Sequence, residues 1–244
     1  MKRRAILIEA SAAPGQDFLP GAALDVDTLK AWLSSNPGGA WEEDEIKVLR
    51  NPNISLVKAN LILARSCDFA FITFSGHGSH PRGGDFDETE ILVNDGILRA
   101  SDLNCGAPRC SIVIDACRYV GPEIITESFK RGVGVVKYSR DRTREAHREM
   151  FELEVNSSDK GAIFMFSCDI NEFAGESSLT GGYFTKYLVE SGNAWYEKNS
   201  GRGVLNTQMA FLTTSLGVTQ RVPQQHPKYE AGRRMRHFPF SVRV

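Results

Sequence analysis

Three unbroken apolar runs, Phe69 to Phe74, Ser111 to Asp115 and Ala162 to Phe166, mark the chain. Each is bounded by glycine, serine or charged residues, the pattern of central parallel strands covered on both faces. Arg4 to Glu9 reads as another buried strand and Ile46 to Leu49 as a shorter one. Between them the period lengthens. Asp25 to Ser34 reads as a helix because Val26, Leu29 and Leu33 fall on one face. A second helix is predicted from an N-cap at Ser55 to about Ser66, with Leu56, Leu63 and Ala64 toward a core. Glu90 to Val93, then Asn94-Asp95-Gly96, then Ile97 to Arg99 have the form of a small hairpin. Tyr183 to Ser191 and Val204 to Leu216 read as helices, and the turn-rich tail from Val222 ends on a strand near His237 to Val242.

Alternating strands and helices predict an α/β fold: an open, mostly parallel sheet of about six strands with helices on both faces. A chain of 244 residues can bury one good-sized core, so residues 1–244 are expected to form one domain. Sites in such sheets form where strands end at their carboxyl side. The residues just after Phe74, Ile114 and Phe166 are therefore the places to look for chemistry.

Composition narrows the picture mainly by exclusion. The chain is 41% hydrophobic and 24% charged with a formal net charge of -1, ordinary globular values that give no pull toward nucleic acid or an anionic membrane. Its apolar runs fall far short of the roughly 20 residues of a spanning helix. The basic start, Met1 to Arg4, is succeeded only by Ala5 to Ile8 before Glu9, too short for a secretory signal. Five cysteines, Cys67, Cys105, Cys110, Cys117 and Cys168, form no C-x-x-C pair, so reduced thiols in a cytoplasm are expected.

The ends of two core strands carry chemistry. Ser75-Gly76-His77-Gly78 comes after Phe74, with glycines that let the backbone turn on both sides of an imidazole. Asp115-Ala116-Cys117-Arg118 comes after Ile114. Neighbouring parallel strands ending in His77 and Cys117 would bring a base to a thiol, as a cysteine nucleophile requires. Each residue alone is equally well read as a turn histidine or a buried thiol.

Phe74-Ser75-Gly76-His77-Gly78-Ser79 and Val113-Ile114-Asp115-Ala116-Cys117-Arg118 resemble the histidine and cysteine motifs of caspases, metacaspases and their prokaryotic relatives. Asp115 stands where animal caspases have Gln, which leans toward metacaspases. Leu19-Pro20-Gly21-Ala22-Ala23-Leu24-Asp25 is similar to a metacaspase Leu-Pro-Gly-Cys-x-Asn-Asp segment, with Ala22 and Leu24 departing from it. Phe166-Ser167-Cys168-Asp169, Ala174 to Ser178 and Gly182-Tyr183-Phe184-Thr185 resemble the family's later strand, loop and helix.

The resemblance implies a cysteine endopeptidase in which Cys117 is the nucleophile and His77 its proton-transfer partner. The N–H groups of Gly78 and Cys117 would form the oxyanion hole, Gly78 having no Cβ to obstruct substrate. It also implies that Asp25 and Asp115 line the pocket for the residue before the cut and select Arg, with Lys weaker, over Asp. Protein substrates and a regulatory partner are expected, and no membrane or nucleic acid. Asp169 and Glu176 also come into question as substrate contacts, though solvated loop acids are the commoner case.

Calcium activation is a minor expectation, from Asp85, Asp87, Glu88 and Asp102, which lack EF-hand spacing; no metal site is assigned and no cofactor is expected to be required. The basic stretch Lys130 to Arg148, with Lys137, Arg140, Arg142, Arg144 and Arg148, is expected to lie in a flexible or activation loop over about 119–160, open to self-cleavage. Two other functions compete. One is a catalytically silent caspase-like scaffold or sensor. The other is a metal hydrolase on His77 and His80, against which stands the missing His-Glu-x-x-His helix.

Overall fold

The unbroken apolar runs form the middle of one sheet in a computed structural model of the chain, which describes residues 1–85, 88–120 and 142–244. In chain order come β1 (Arg3–Ala10), α1 (Pro20–Ser34), β2 (Ile46–Arg50), α2 (Ile54–Arg65) and β3 (Phe69–Gly76). A small antiparallel sheet is next, β4 (Gly78–Ser79), β5 (Glu90–Val93) and β6 (Gly96–Arg99), then β7 (Arg109–Asp115), α3 (Arg142–Ser157) and β8 (Gly161–Phe166). The short pair β9 (Glu176–Ser177) and β10 (Gly181–Gly182) leads into α4 (Tyr183–Lys198), β11 (Gly203–Asn206), α5 (Thr207–Arg221), β12 (Lys228–Glu230) and β13 (Pro239–Arg243). Among the described residues the main sheet has six strands in the order β12-β8-β7-β3-β1-β2. All its pairings are parallel except β12 with β8.

Side chains along a strand alternate between faces, and β1 shows the result. Ala5 and Leu7 join a cluster with Trp32, Phe69, Phe151 and Phe184 on one face, while Ile6 and Ile8 join Val57, Ile72, Phe74 and Ile112 on the other. Helices α1, α3, α4 and α5 supply the first cluster and α2 the second. The predicted α/β sheet with helices on both faces is therefore present, and no described helix is long and apolar enough to cross a membrane.

Several local expectations are corrected. Helix α2 is capped by Asn53, whose Oδ1 accepts the Leu56 N–H at 2.8 Å, which places Ser55 inside the first turn. It buries Val57, Asn60, Leu61 and Ala64, whereas Leu56 and Leu63 are exposed. Apolar residues fall on every side of this helix, so period alone does not orient it; packing on the sheet selects the stripe. Val204 lies in a strand, not a helix, and pairs with Val242 of β13. Helix α5 starts afterwards, capped by the Asn206 side chain on the Met209 N–H.

The loop expected over about 119–160 is also partly helix. In α3, Arg144 donates to the carbonyls of Ser34 and Trp41, and Arg148 donates to both Glu45 carboxylate oxygens. These two arginines dock the helix against the α1–β2 connection, so they are not open cleavage points. Residues 121–141, with Lys130, Lys137 and Arg140, lie outside the described residues.

Candidate active site

Strands β3 and β7 lie side by side with Ser75 opposite Asp115. Two residues further along from each stand His77 and Cys117. Gly78 closes the gap between the two turns, because a Cβ there would lie 2.7 Å from the Cys117 carbonyl oxygen and 2.9 Å from Ala116 Cβ. The expected reason for this glycine is room for a substrate; the contact found is with the cysteine turn itself. The Leu92 N–H donates to the His77 carbonyl at 3.0 Å, which makes Gly78 and Ile91 a non-hydrogen-bonded pair. The Gly78 N–H consequently points away from β5.

The loop after β1 orients the imidazole. His77 Nε2 donates to the Asp17 carbonyl at 2.7 Å, and with the proton held there, Nδ1 is the basic nitrogen of the neutral ring. Cys117 is half-buried, and the Ala174 N–H donates to its Sγ at 3.4 Å. Cys168 nearby is fully buried, and burial pushes its thiol well above the ordinary range, which makes it the inert neighbour. His77 and Cys117 line one cavity of about 310 Å³ together with Asp17, Asp25, Asp115 and Glu176.

Two of those groups, Asp25 and Asp115, are buried carboxyls, and a third, Glu176, is half-buried. Asp25 projects from α1 and is only 2% exposed. Its oxygens accept from Ser75 Oγ at 2.5 Å and from the Gly182 N–H at 2.8 Å. Asp115 accepts from both the N–H and the hydroxyl of Thr185, at 3.0 and 2.8 Å. Burial pushes the Asp25 carboxyl well up and the charge of Asp115 adds to it. Burial likewise raises Asp115 against the pull of Thr185, and it raises Glu176, again with help from Asp115. Gly182 must be a glycine for this packing, since a Cβ would collide with the Asp115 carboxylate. Three acids thus share one cavity, and burial disfavours the ionised form of each.

A profile of the caspase domain matches residues 2–238. The chain belongs to the caspase family. Its caspase domain superposes on the crystal structure of caspase-1 from Spodoptera frugiperda with a TM-score of 0.60 at 12% sequence identity, over 96% of this chain and 89% of that one. At that identity the likeness is one of fold. No sequence among curated proteins matches the chain. Family membership makes this a cysteine peptidase domain, whose substrates are proteins.

The caspase domain brings together His77, Gly78, Cys117, Asp25 and Asp115 at the carboxyl edge of its sheet. Glu176 joins them, although a loop acid is more commonly solvated. Its only sequence signal is a place shortly after the third core strand, beside Gly175. Asp169 goes elsewhere, into an ion pair with Lys228 at 2.8 Å. His80 does not share a site with His77, since its ring nitrogens meet Thr89 Oγ1 at 3.2 Å and the Gly84 carbonyl at 3.0 Å. Among the expected calcium acids, Asp102 accepts the Arg99 N–H and Glu88 the Asp85 N–H, while Asp87 lies outside the described residues. Among the described residues no three His, Cys, Asp or Glu side chains gather as metal ligands.

Proposed function

We propose that this caspase-family domain is an endopeptidase of the metacaspase or orthocaspase kind, cutting after Arg and more weakly after Lys. The observation that carries the proposal is the sharing of one cavity by Cys117, His77 and the carboxyls of Asp25, Asp115 and Glu176. The Cys117 thiolate attacks the scissile carbonyl carbon, and the oxyanion takes hydrogen bonds from the N–H groups of Gly78 and Cys117. His77 gives a proton to the leaving amine as the C–N bond breaks, leaving a thioester. It then takes a proton from water, which attacks the thioester carbon and expels Cys117 as thiolate.

Asp25 and Asp115 hold the guanidinium of the residue before the cut, and Glu176 supplies further negative charge. The planar fork of Arg matches paired carboxylates better than the point charge of Lys. A caspase with this lining has no use for a substrate Asp. Fluorogenic peptides ending in Arg, Lys or Asp, with Cys117→Ala as control, test the reading: hydrolysis in the order Arg, Lys and no Asp is expected. Cleavage after Asp, or none by the unmodified protein, overturns it.

Control by a partner or by self-cleavage within residues 121–141 belongs to the same proposal. Intact mass of the wild-type protein beside Cys117→Ala checks the second route, a clipped product in the first alone being expected. The mechanism draws on no metal, so equal rates in calcium and in chelator are expected.

A further inference from the structure

The loop that carries Phe173 to Glu176 is held by a residue far away in sequence and outside the cavity lining. Gln225 comes after α5, is 0% exposed and uses both ends of its carboxamide. Its Oε1 accepts the Gly175 N–H at 3.0 Å, and its Nε2 donates to the Ser167 carbonyl at 2.8 Å. Ser167 comes directly after β8 and is itself tied to the cysteine turn, its N–H donating to the Ile114 carbonyl at 2.9 Å and its hydroxyl accepting the Ala116 N–H at 3.2 Å. Gly175 lies between two groups that bear on chemistry. On one side the Ala174 N–H points at Cys117 Sγ, and on the other Glu176 enters the cavity.

The backbone of Gln225 is fixed in turn. Its N–H donates to the Val222 carbonyl at 2.9 Å, and its carbonyl accepts from Thr219 Oγ1 at 3.1 Å. Beside it, His226 meets Glu172 twice, through its N–H at 2.7 Å and Nδ1 at 2.6 Å. The Tyr183 N–H donates to the Gly175 carbonyl at 3.0 Å, so both polar groups of that residue are anchored from outside the loop.

We infer that Gln225 is a positioning residue for the peptidase site, locking the loop of residues 169–178 in the register that puts the Ala174 amide on the Cys117 sulfur and Glu176 in the specificity cavity. The inference rests on the peptidase reading for its kinetic consequence, but its structural content stands apart from turnover. Any occupant of position 225 must offer one acceptor to Gly175 and one donor to Ser167. Removing them leaves a buried N–H and a buried C=O without partners, which the loop relieves by moving toward water.

Two variants separate positioning from bulk stability. Gln225→Leu keeps the volume and removes both polar ends. Gln225→Glu restores both in its neutral acid form and loses the donor when ionised, so its behaviour must track pH. For Gln225→Leu, faster amide hydrogen exchange confined to residues 169–178, an altered alkylation rate of Cys117 by iodoacetamide, and a roughly tenfold to hundredfold fall in kcat/KM for Arg peptides are expected. For Gln225→Glu, each quantity, taken as a ratio to wild type at the same pH, should return toward one as pH falls.

Exchange in the loop unchanged in both variants overturns the inference, as does a Gln225→Glu ratio that is flat with pH. Should Gln225→Leu fail to fold, the pH series of Gln225→Glu still decides. Should the wild type hydrolyse no peptide, the peptidase reading fails while exchange and alkylation still test Gln225.

Discussion

Phe69 opens strand β3 and Asp115 closes its neighbour β7, and both are nearly dry, at 1% and 6% exposure. Phe69 sits among Trp41, Phe151 and Phe238 with ring centroids 5.4 to 6.1 Å away, where removal from water stabilises the fold by about 2–3 kcal/mol. For Asp115 the same dryness works against the charged form. One sheet thus has a floor where burial stabilises and a carboxyl edge where burial is held in place by Thr185, Ser75 and the floor beneath. Stability should reside in the first region and chemistry in the second.

That division can be broken at its strongest point by Cys117→Ala. Peptide hydrolysis should fall by more than about a thousandfold while the melting temperature stays within a degree or two; a large loss of stability would show that the edge also supports the fold. Phe69→Ala is the converse, costing about 3–5 kcal/mol in denaturant unfolding with the preference for Arg over Lys unchanged in the folded fraction. Asp25→Asn or Asp115→Asn should lower kcat/KM for Arg peptides about a hundredfold without loss of stability.

The smallest effect sharpens the comparison most, through pH. A carboxyl whose folded value lies above its ordinary one, as for Asp25 and Asp115, binds protons more tightly in the folded state. Its destabilising effect is absent below the ordinary aspartate value of 3.8, grows as pH rises toward the raised value, and is complete above it. Asp115→Asn should therefore melt higher than wild type at pH 8, the gap closing as pH falls toward 4. A gap that stays constant with pH would mean the carboxyl is not strained by burial.

The two regions are also unequally legible in the sequence. Long apolar runs bounded by polar residues mark β3, β7 and β8, because a strand covered on both faces leaves no room for ambiguity. The strand-end rule then picks out His77, Cys117 and Asp115 together. Where apolar residues lie on every side of a helix, as in α2, their period does not distinguish Val57 and Leu61 from Leu56 and Leu63. Where the pattern is short, as at Val204, a paired strand passes for the start of a helix. The Asp17 carbonyl and Gln225 are beyond reach for another reason: their places depend on loops closing over distances that no local period encodes, and the same closure is what sends Glu176 into the cleft and Asp169 away from it.

The pairing of Ser75 with Asp115 has a bearing on how such a sequence can drift. Two steps from one rung of a hydrogen-bond ladder lead to the imidazole on one side and to the thiol on the other. Substitution anywhere along those strands leaves the count intact, so identity to a structural relative can fall to 12% with the same architecture kept. Deleting a single residue between Phe74 and His77 would shift one partner by roughly 3.3 Å and turn its side chain to the opposite face. Indels in these few positions, far more than point changes, are what the cleft cannot absorb.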